Sequence, residues 1–293
     1  MNEIQFPPVF DHRYYASHYP NVAHLSFEDA CRHFLTIGRK RGYMGSPMAD
    51  RLFFIAWLNS TNFQRILEIG PGVNPSLIGE NVSYFDVRKG EEFYAYARSK
   101  NVTDVQHLPQ IDFYSETGSL KVVNKKFDLV FSSHCIEHVY DVIEHVNEVT
   151  DVLTEEGVYC LVIPDKRYCF DHFRNTSSIG DITARHYNKE IGYHPLNVVV
   201  DSVLEAHNDS MRHWNRDNGN VNIPPELILE KIEEWRITQG KNPSLHAWVF
   251  TDNSFEEIFS LLHRARLTRM RPIRVYNTPQ NSNSFCVVMR PET

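Results

Sequence analysis

The chain has 293 residues, 42% hydrophobic and 23% charged, with 30 basic against 37 acidic side chains and a formal charge of −7. Such a chain buries a core without disulfides or metals, which excludes general disorder, and its acidic balance speaks against a general nucleic-acid binder. No apolar run approaches the roughly 20 residues of a membrane span.

The N-terminus lacks the basic start and apolar stretch of a signal peptide. The five cysteines, Cys31, Cys135, Cys160, Cys169 and Cys286, are scattered without a C-x-x-C, as expected of reduced thiols in a cytoplasmic protein. Residues 1–50 form a first zone. After an aromatic stretch, Ser26 and Asp29 make a capping box for a helix whose apolar face is Phe27, Ala30, Cys31 and Phe34, with Gly38 expected to end it. The basic run Arg39, Lys40 and Arg41 follows, then a linker from Met44 to Pro47.

The zone 51–164 alternates strands with helices. Short apolar runs predict strands at Arg65–Ile69, Val82–Asp86, Phe127–Ser132 and Val158–Ile163. A helix capped by Asp141 and Glu144, with Val142, Val146, Val149 and Leu153 on one face, separates the last two. This pattern predicts a parallel sheet covered on both sides. The zone 165–247 carries few strand signals, many His, Asn, Tyr and Arg side chains, and one helix at Pro225–Thr238. Beyond it, Ser254 and Glu257 cap a helix with Phe255, Ile258, Phe259 and Leu262 inward. Strands near Ile273–Tyr276 and Ser284–Met289 follow, joined as a hairpin by the loop Asn277–Asn283.

The first strand runs through Glu68 into Gly70-Pro71-Gly72. Two glycines allow a tight turn and close backbone approach to a ligand. A dinucleotide loop would carry a third glycine where Pro75 stands, and the gap to the next strand-end acid, Asp86, is short for it. Glu68 suits a ligand with an amino group and would repel a phosphate.

The run E-I-G-P-G, the acid at the second strand end, F-D-L-V-F-S-S-H-C-I-E-H-V and T-E-E-G-V-Y-C-L-V-I-P-D together resemble a class I S-adenosylmethionine (SAM)-dependent methyltransferase over residues 51–164 and 248–290. The resemblance implies an α/β, Rossmann-like fold with a seven-stranded, mostly parallel sheet ending in an antiparallel pair. It also implies SAM as cofactor and S-adenosylhomocysteine as product. Glu68, Gly70 and Gly72 would border the methionine part, Asp86 would accept hydrogen bonds from both ribose hydroxyls, and Asp112 with Phe113 would meet the adenine. Ser132 or Ser133 would line the cleft. Domain bounds follow: an N-terminal helical extension over 1–50 and a methyltransferase domain over 51–293, with 165–247 inserted as the acceptor-binding segment.

Methyl transfer needs an acceptor held in line with the methyl group and a base for its proton. His134, directly after the fourth strand, is the first candidate base; His138, at the start of the next helix, and His246, where the chain re-enters the core, are the others. His134-x-x-Glu137-His138 also has the i, i+3, i+4 spacing that puts metal ligands on one helical face. Some methyltransferases resembled by this segment hold a divalent ion with an acid-rich cluster, but the first position here is His, so no metal is assigned. Lys166, Arg167, Tyr168, His172 and Arg174 leave the fifth strand at its carboxyl end and are the candidate acceptor-binding residues, with His186, His207, His213 and Trp214 beyond them.

At the N-terminus, Tyr14-Tyr15, Pro20-Asn21-Val22 and His33-Phe34-Leu35 through Gly42 resemble a short module of bacterial proteins that assemble surface polysaccharides; Lys40 departs from its usual acid. The module implies a glycan acceptor, such as the terminal sugar of an O-antigen chain. An acidic sugar such as Kdo would be held by Lys166, Arg167, Arg174 and Arg185. It also implies a neighbouring glycosyltransferase in the same chain or assembly, at the inner face of the cytoplasmic membrane. Alternatives are methylation of a small metabolite or lipid, a NAD-type oxidoreductase and a non-catalytic scaffold.

Overall fold

The structure, a computed structural model, describes residues 4–102, 108–189, 201, 203–221, 223–238 and 245–292. Helices α1 (His12–His18), α2 (Phe27–His33) and α3 (Arg51–Ser60) precede strand β1 (Ile66–Ile69). Then come β2 (Val82–Asp86), α4 (Gly90–Ser99), β3 (Phe113–Tyr114), β4 (Phe127–Ser133), α5 (Val142–Val152) and β5 (Leu153–Pro164). Helices α6 (Ile179–Asn188), α7 (Ser210–Trp214) and α8 (Pro225–Thr238) follow, and α9 (Asp252–Arg264), β6 (Met270–Val275) and β7 (Ser284–Pro291) close the chain.

The strands form one sheet in the order β3-β2-β1-β4-β5-β7-β6. Neighbours are parallel except around β7, which runs antiparallel to both β5 and β6. This is the expected class I methyltransferase sheet, Rossmann-like with its antiparallel C-terminal pair. β1 and the first six residues of β4 are buried on both faces, as strands sandwiched between helices must be. One core holds Val142, Ile143, Val146 and Val149 of α5 with Phe255, Phe259 and Leu262 of α9. The other holds Phe54 and Leu58 of α3 with Phe6, Met48, Tyr276 and Cys286. The strand order reverses between β1 and β4, where Ile69 pairs with Ser132, so the crevice beyond their carboxyl ends is where this architecture binds ligands.

The N-terminal extension has its own core of Tyr15, Val22, Ala30 and Phe34 and is tied to the sheet domain. Tyr276 donates to the Pro7 carbonyl at 2.7 Å and Arg39 pairs with buried Asp252 at 3.0 Å.

Several boundaries differ from expectation. Gly38 does not end the helix. It lies in a π-helical turn after α2, and the chain leaves helical geometry only at Gly42, where φ is +71°. Gly38 is needed for space, because a Cβ there would lie 2.3 Å from the Tyr15 hydroxyl oxygen. β5 starts at Leu153, the C-cap of α5, so Leu153 belongs to the strand. The cap of α9 is Thr251 with Ser254 rather than Ser254 with Glu257. By contrast, Asp141 caps α5 through the Glu144 amide as predicted, and α8 has the predicted bounds.

Candidate functional site

β1 delivers the chain into Gly70 and Gly72, both with left-handed backbone, at φ +67° and +56°. A side chain at Gly70 would reach within 3.2 Å of the Cys135 sulfur, so the glycine turn lies directly against the loop that leaves β4. Glu68 is buried, and its two carboxylate oxygens accept from the amides of Ser76 and Leu77, each at 2.9 Å. It therefore anchors the far limb of the glycine loop rather than presenting both oxygens to a ligand amine. Burial pushes its pKa up to about 7 despite those two amides.

Asp86 ends β2, almost fully buried. Its Oδ1 accepts the Arg88 amide at 2.9 Å, and burial raises its pKa. A buried carboxylate at this strand tip, one strand from the glycine turn, is the donor-accepting group that a ribose diol requires. Asp112 and Phe113 sit beside it at the sheet edge. The Asp112 carboxylate is engaged, accepting the Tyr84 amide at 2.8 Å. Phe113 meets Phe127 edge-on at 6.3 Å, and the Lys125 ammonium lies over its ring at 5.8 Å. Ser132 is turned into the core onto the Tyr159 hydroxyl at 2.8 Å, whereas the buried Ser133 hydroxyl has no hydrogen-bond partner among the described residues. The glycine cradle and Asp86 thus fit SAM.

Beyond β4 the expected helix face is absent. His134 has left-handed backbone, φ +51°, and Ile136–His138 form a 3-10 turn before α5 begins. The turn nevertheless gathers imidazoles around Glu137. Glu137 Oε1 lies 3.8 Å from His134 Nδ1, 3.9 Å from His138 Nε2 and 3.9 Å from His246 Nε2. His246 arrives from the other end of the 165–247 segment. The amides of Ala247 and Trp248 donate to the Glu137 carbonyl at 2.7 and 3.1 Å, and the Trp248 indole donates to the Val139 carbonyl at 2.6 Å. Ser244, part of the same predicted re-entry, lies outside the described residues. Burial pulls the His134 pKa down to about 3, with Arg51 and then His246 adding to the effect, and that of His138 down to about 4, with His246 adding and the Leu245 carbonyl opposing. Burial opposes charge on His246 too, but the Asp171 carboxylate, 2.6 Å from Nδ1, outweighs it and raises the pKa. Asp171 went unnoticed in the sequence; its spacing of three from Arg174 was the available signal.

The residues expected to bind the acceptor have partners within the fold. Arg174 is buried and bridges Asp171, Asp201 and the His246 carbonyl. Arg167 pairs with Asp165 and Asp252, and Lys166 donates to the His172 carbonyl at 2.8 Å. The His172 ring donates to the Arg167 carbonyl at 2.9 Å, and Arg185 donates to the Tyr140 carbonyl at 3.2 Å. Tyr168 stacks on Trp214 at 3.9 Å. His213 and His207 stack at 4.1 Å and bond the segment's own backbone, and His186 bonds Asp141 at 2.8 Å. These groups hold the segment together. A surface cavity of about 260 Å³ is lined by Ile4, Arg271 and Arg290, and one of about 110 Å³ by Arg39 and Asp252 together with Arg167.

Residues 67–161 match the family model described as a methyltransferase domain. No curated protein matches the chain. Solved structures similar to it include the CcbJ methyltransferase from Streptomyces caelestis, 12% identical with 87% of this chain and 95% of that chain covered, TM-score 0.42. A SAM-dependent methyltransferase from Clostridium acetobutylicum is 11% identical over 91% of this chain and 98% of that one, TM-score 0.41. DhpI in complex with S-adenosylhomocysteine is 14% identical over 96% of each chain, TM-score 0.39.

Proposed function

We propose that this SAM-dependent methyltransferase, so read from its sheet order and from the match over residues 67–161, is an O-methyltransferase acting on a sugar hydroxyl of a bacterial surface glycan. The observation that carries cofactor use is the buried Asp86 carboxylate beside the left-handed glycine turn. In the reaction the acceptor hydroxyl gives up its proton to a base as its oxygen bonds the methyl carbon. SAM, which the glycine turn and Asp86 would hold, would supply the methyl group as an electrophile whose sulfur keeps the electron pair of the carbon–sulfur bond. His134 is the proposed base. It stands at the strand end next to the glycine turn, and its Nε2 is buried and lacks a hydrogen-bond partner among the described residues; burial holds the ring neutral, with its lone pair available, and makes it a weak base until an acceptor hydroxyl is delivered to it.

Support for a glycan comes from the N-terminal module, which is packed onto the catalytic domain through Phe6, Met48 and the Arg39–Asp252 pair. Carboxylates pair with Arg167 and Arg174, which weakens the charge argument for an acidic sugar such as Kdo, so the proposal is for a sugar hydroxyl in general. A neighbouring glycosyltransferase in the same chain or assembly, and recruitment to the membrane by it, belong to the same reading. No described helix is long and apolar enough to cross a membrane. The test is transfer of tritiated methyl from SAM to a panel of defined O-antigen termini. Incorporation into a glycan supports the reading, and incorporation only into small metabolites or lipid overturns it. His134→Ala should keep SAM affinity and slow turnover by roughly 10²–10⁴-fold.

A further inference from the structure

We propose that Glu137, His138 and His246 form a binding site for one divalent transition-metal ion, held beside the glycine turn. The ligating atoms of the three side chains all lie within 4.8 Å of one another. Four observations point to a cation rather than to hydrogen bonding. Glu137 is fully buried, and both its carboxylate oxygens accept no hydrogen bond among the described residues, an arrangement that is costly unless a positive group faces them. The His138 Nδ1 faces the Leu245 carbonyl at 2.9 Å, and a carbonyl only accepts, so Nδ1 carries the proton and Nε2 the lone pair. The His246 Nδ1 faces the Asp171 carboxylate at 2.6 Å, so Nδ1 carries a proton and Nε2 is the nitrogen turned toward Glu137. Both Nε2 atoms are 3.9 Å from Glu137 Oε1, too far to hydrogen-bond to it, yet close to the spacing of ligands around one ion. Bonds of about 2.0–2.1 Å in a tetrahedral set put ligand atoms roughly 3.3 Å apart, so the two imidazole–carboxylate separations close by about 0.6 Å and the widest separation, within 4.8 Å, by at most about 1.5 Å.

The outer groups match a metal site as well. A ligating imidazole that donates its other nitrogen to a carboxylate or a carbonyl is held in orientation and made more basic, which is what Asp171 and Leu245 do here. Arg174, bonded to Asp171 at 2.7 Å, fixes that carboxylate in turn. Two imidazoles and one carboxylate favour zinc, manganese, iron or cobalt over magnesium or calcium. Three protein ligands leave a coordination position for an acceptor oxygen; that part of the proposal rests on methyl transfer as the activity.

The test uses the full chain, stripped with a chelator and titrated calorimetrically with zinc, manganese and magnesium chlorides, with neither SAM nor acceptor present. We expect one saturable site for zinc or manganese, weaker magnesium binding, and a loss of at least about 100-fold in Glu137→Gln while SAM affinity is retained. Cobalt added to the wild-type chain should give visible ligand-field bands, which covers the case in which the variant does not fold. Absence of saturable binding and of those bands in the wild type overturns the site, as does undiminished binding in a folded Glu137→Gln. If metal binds but methyl transfer by the stripped chain equals that of the loaded chain, the site stands and its role toward the acceptor falls. If metal binds and no methyl transfer occurs with any acceptor, the activity reading fails and the metal site does not.

Discussion

Asp86 shows how a single buried side chain carries a prediction. Its carboxylate would accept two ribose hydroxyls, at roughly 1.5–3 kcal/mol for each charged hydrogen bond. Asp86→Ala should therefore weaken SAM binding by two or more orders of magnitude in calorimetric titration, and wild-type affinity would refute the assignment. Glu68 supplies a pH effect. Its folded-state pKa of about 7 lies above the model-peptide value of 4.5, so the folded chain holds this proton more tightly than the unfolded one. The stability it contributes is complete below about pH 4.5 and is lost as pH rises toward 7, by up to about 3 kcal/mol. The melting temperature of the wild type relative to Glu68→Gln should fall between pH 4.5 and pH 7.5 in scanning calorimetry; a constant difference would show that Glu68 does not titrate there. Residue types were legible from the sequence, but their partners were not. Arg167 and Arg174 read as basic side chains open to an acceptor because Asp165, Asp252, Asp171 and Asp201 pair with them only after folding, and Lys166 because the His172 carbonyl reaches it only then.

Among the elements, β1, β2, β4 and α5 were readable because each has an apolar run or a cap complete within itself. β3 has two residues at the sheet edge, and α3 and α4 lack the strong apolar stripe that would announce them. The turn at Ile136–His138 reads in the sequence as the start of a helix, because the i, i+3, i+4 spacing of His134, Glu137 and His138 does not distinguish a 3-10 turn from the first turn of an α-helix. Two elements give predictions. Gly38→Ala would force a methyl group onto the Tyr15 hydroxyl and should destabilise the N-terminal extension by about 1–3 kcal/mol in urea unfolding. An unchanged midpoint would show that the π-helical turn relaxes freely. Arg174→Glu would leave Asp171 and Asp201 facing a third buried carboxylate. It should cost about 3–5 kcal/mol or more and impair SAM binding and acceptor kinetics together. A selective rise in acceptor KM would instead restore Arg174 to the binding surface.

At the scale of the molecule, the N-terminal extension completes a core that the sheet domain cannot close alone. Phe6 and Met48 are nearly or wholly buried in the cluster that contains Phe54, Leu58 and Tyr276. Removing residues 1–48 exposes those side chains at about 1.5–3 kcal/mol per large apolar group, so the melting temperature should drop by roughly 10 °C or more. A truncated chain with unchanged melting temperature would make the extension an independent module. The sheet domain was legible from residues 51–164 because its chemistry is local to strand tips. The packing of the extension was not, because its contacts join residues more than 200 positions apart, as in Arg39 with Asp252.

The Arg174 bridge has a thermodynamic corollary. The guanidinium ties Asp171 near the start of the inserted segment to Asp201 and to the His246 backbone at its end, so any transient opening of the segment near Asp171 also unseats the His246 ring. Linkage works in both directions: a ligand that needs that ring in place must disfavour the open state by the same free energy. Amide hydrogen exchange of residues 169–174 therefore becomes a remote meter of occupancy at Glu137 and His246, read in backbone protons that touch no ligand.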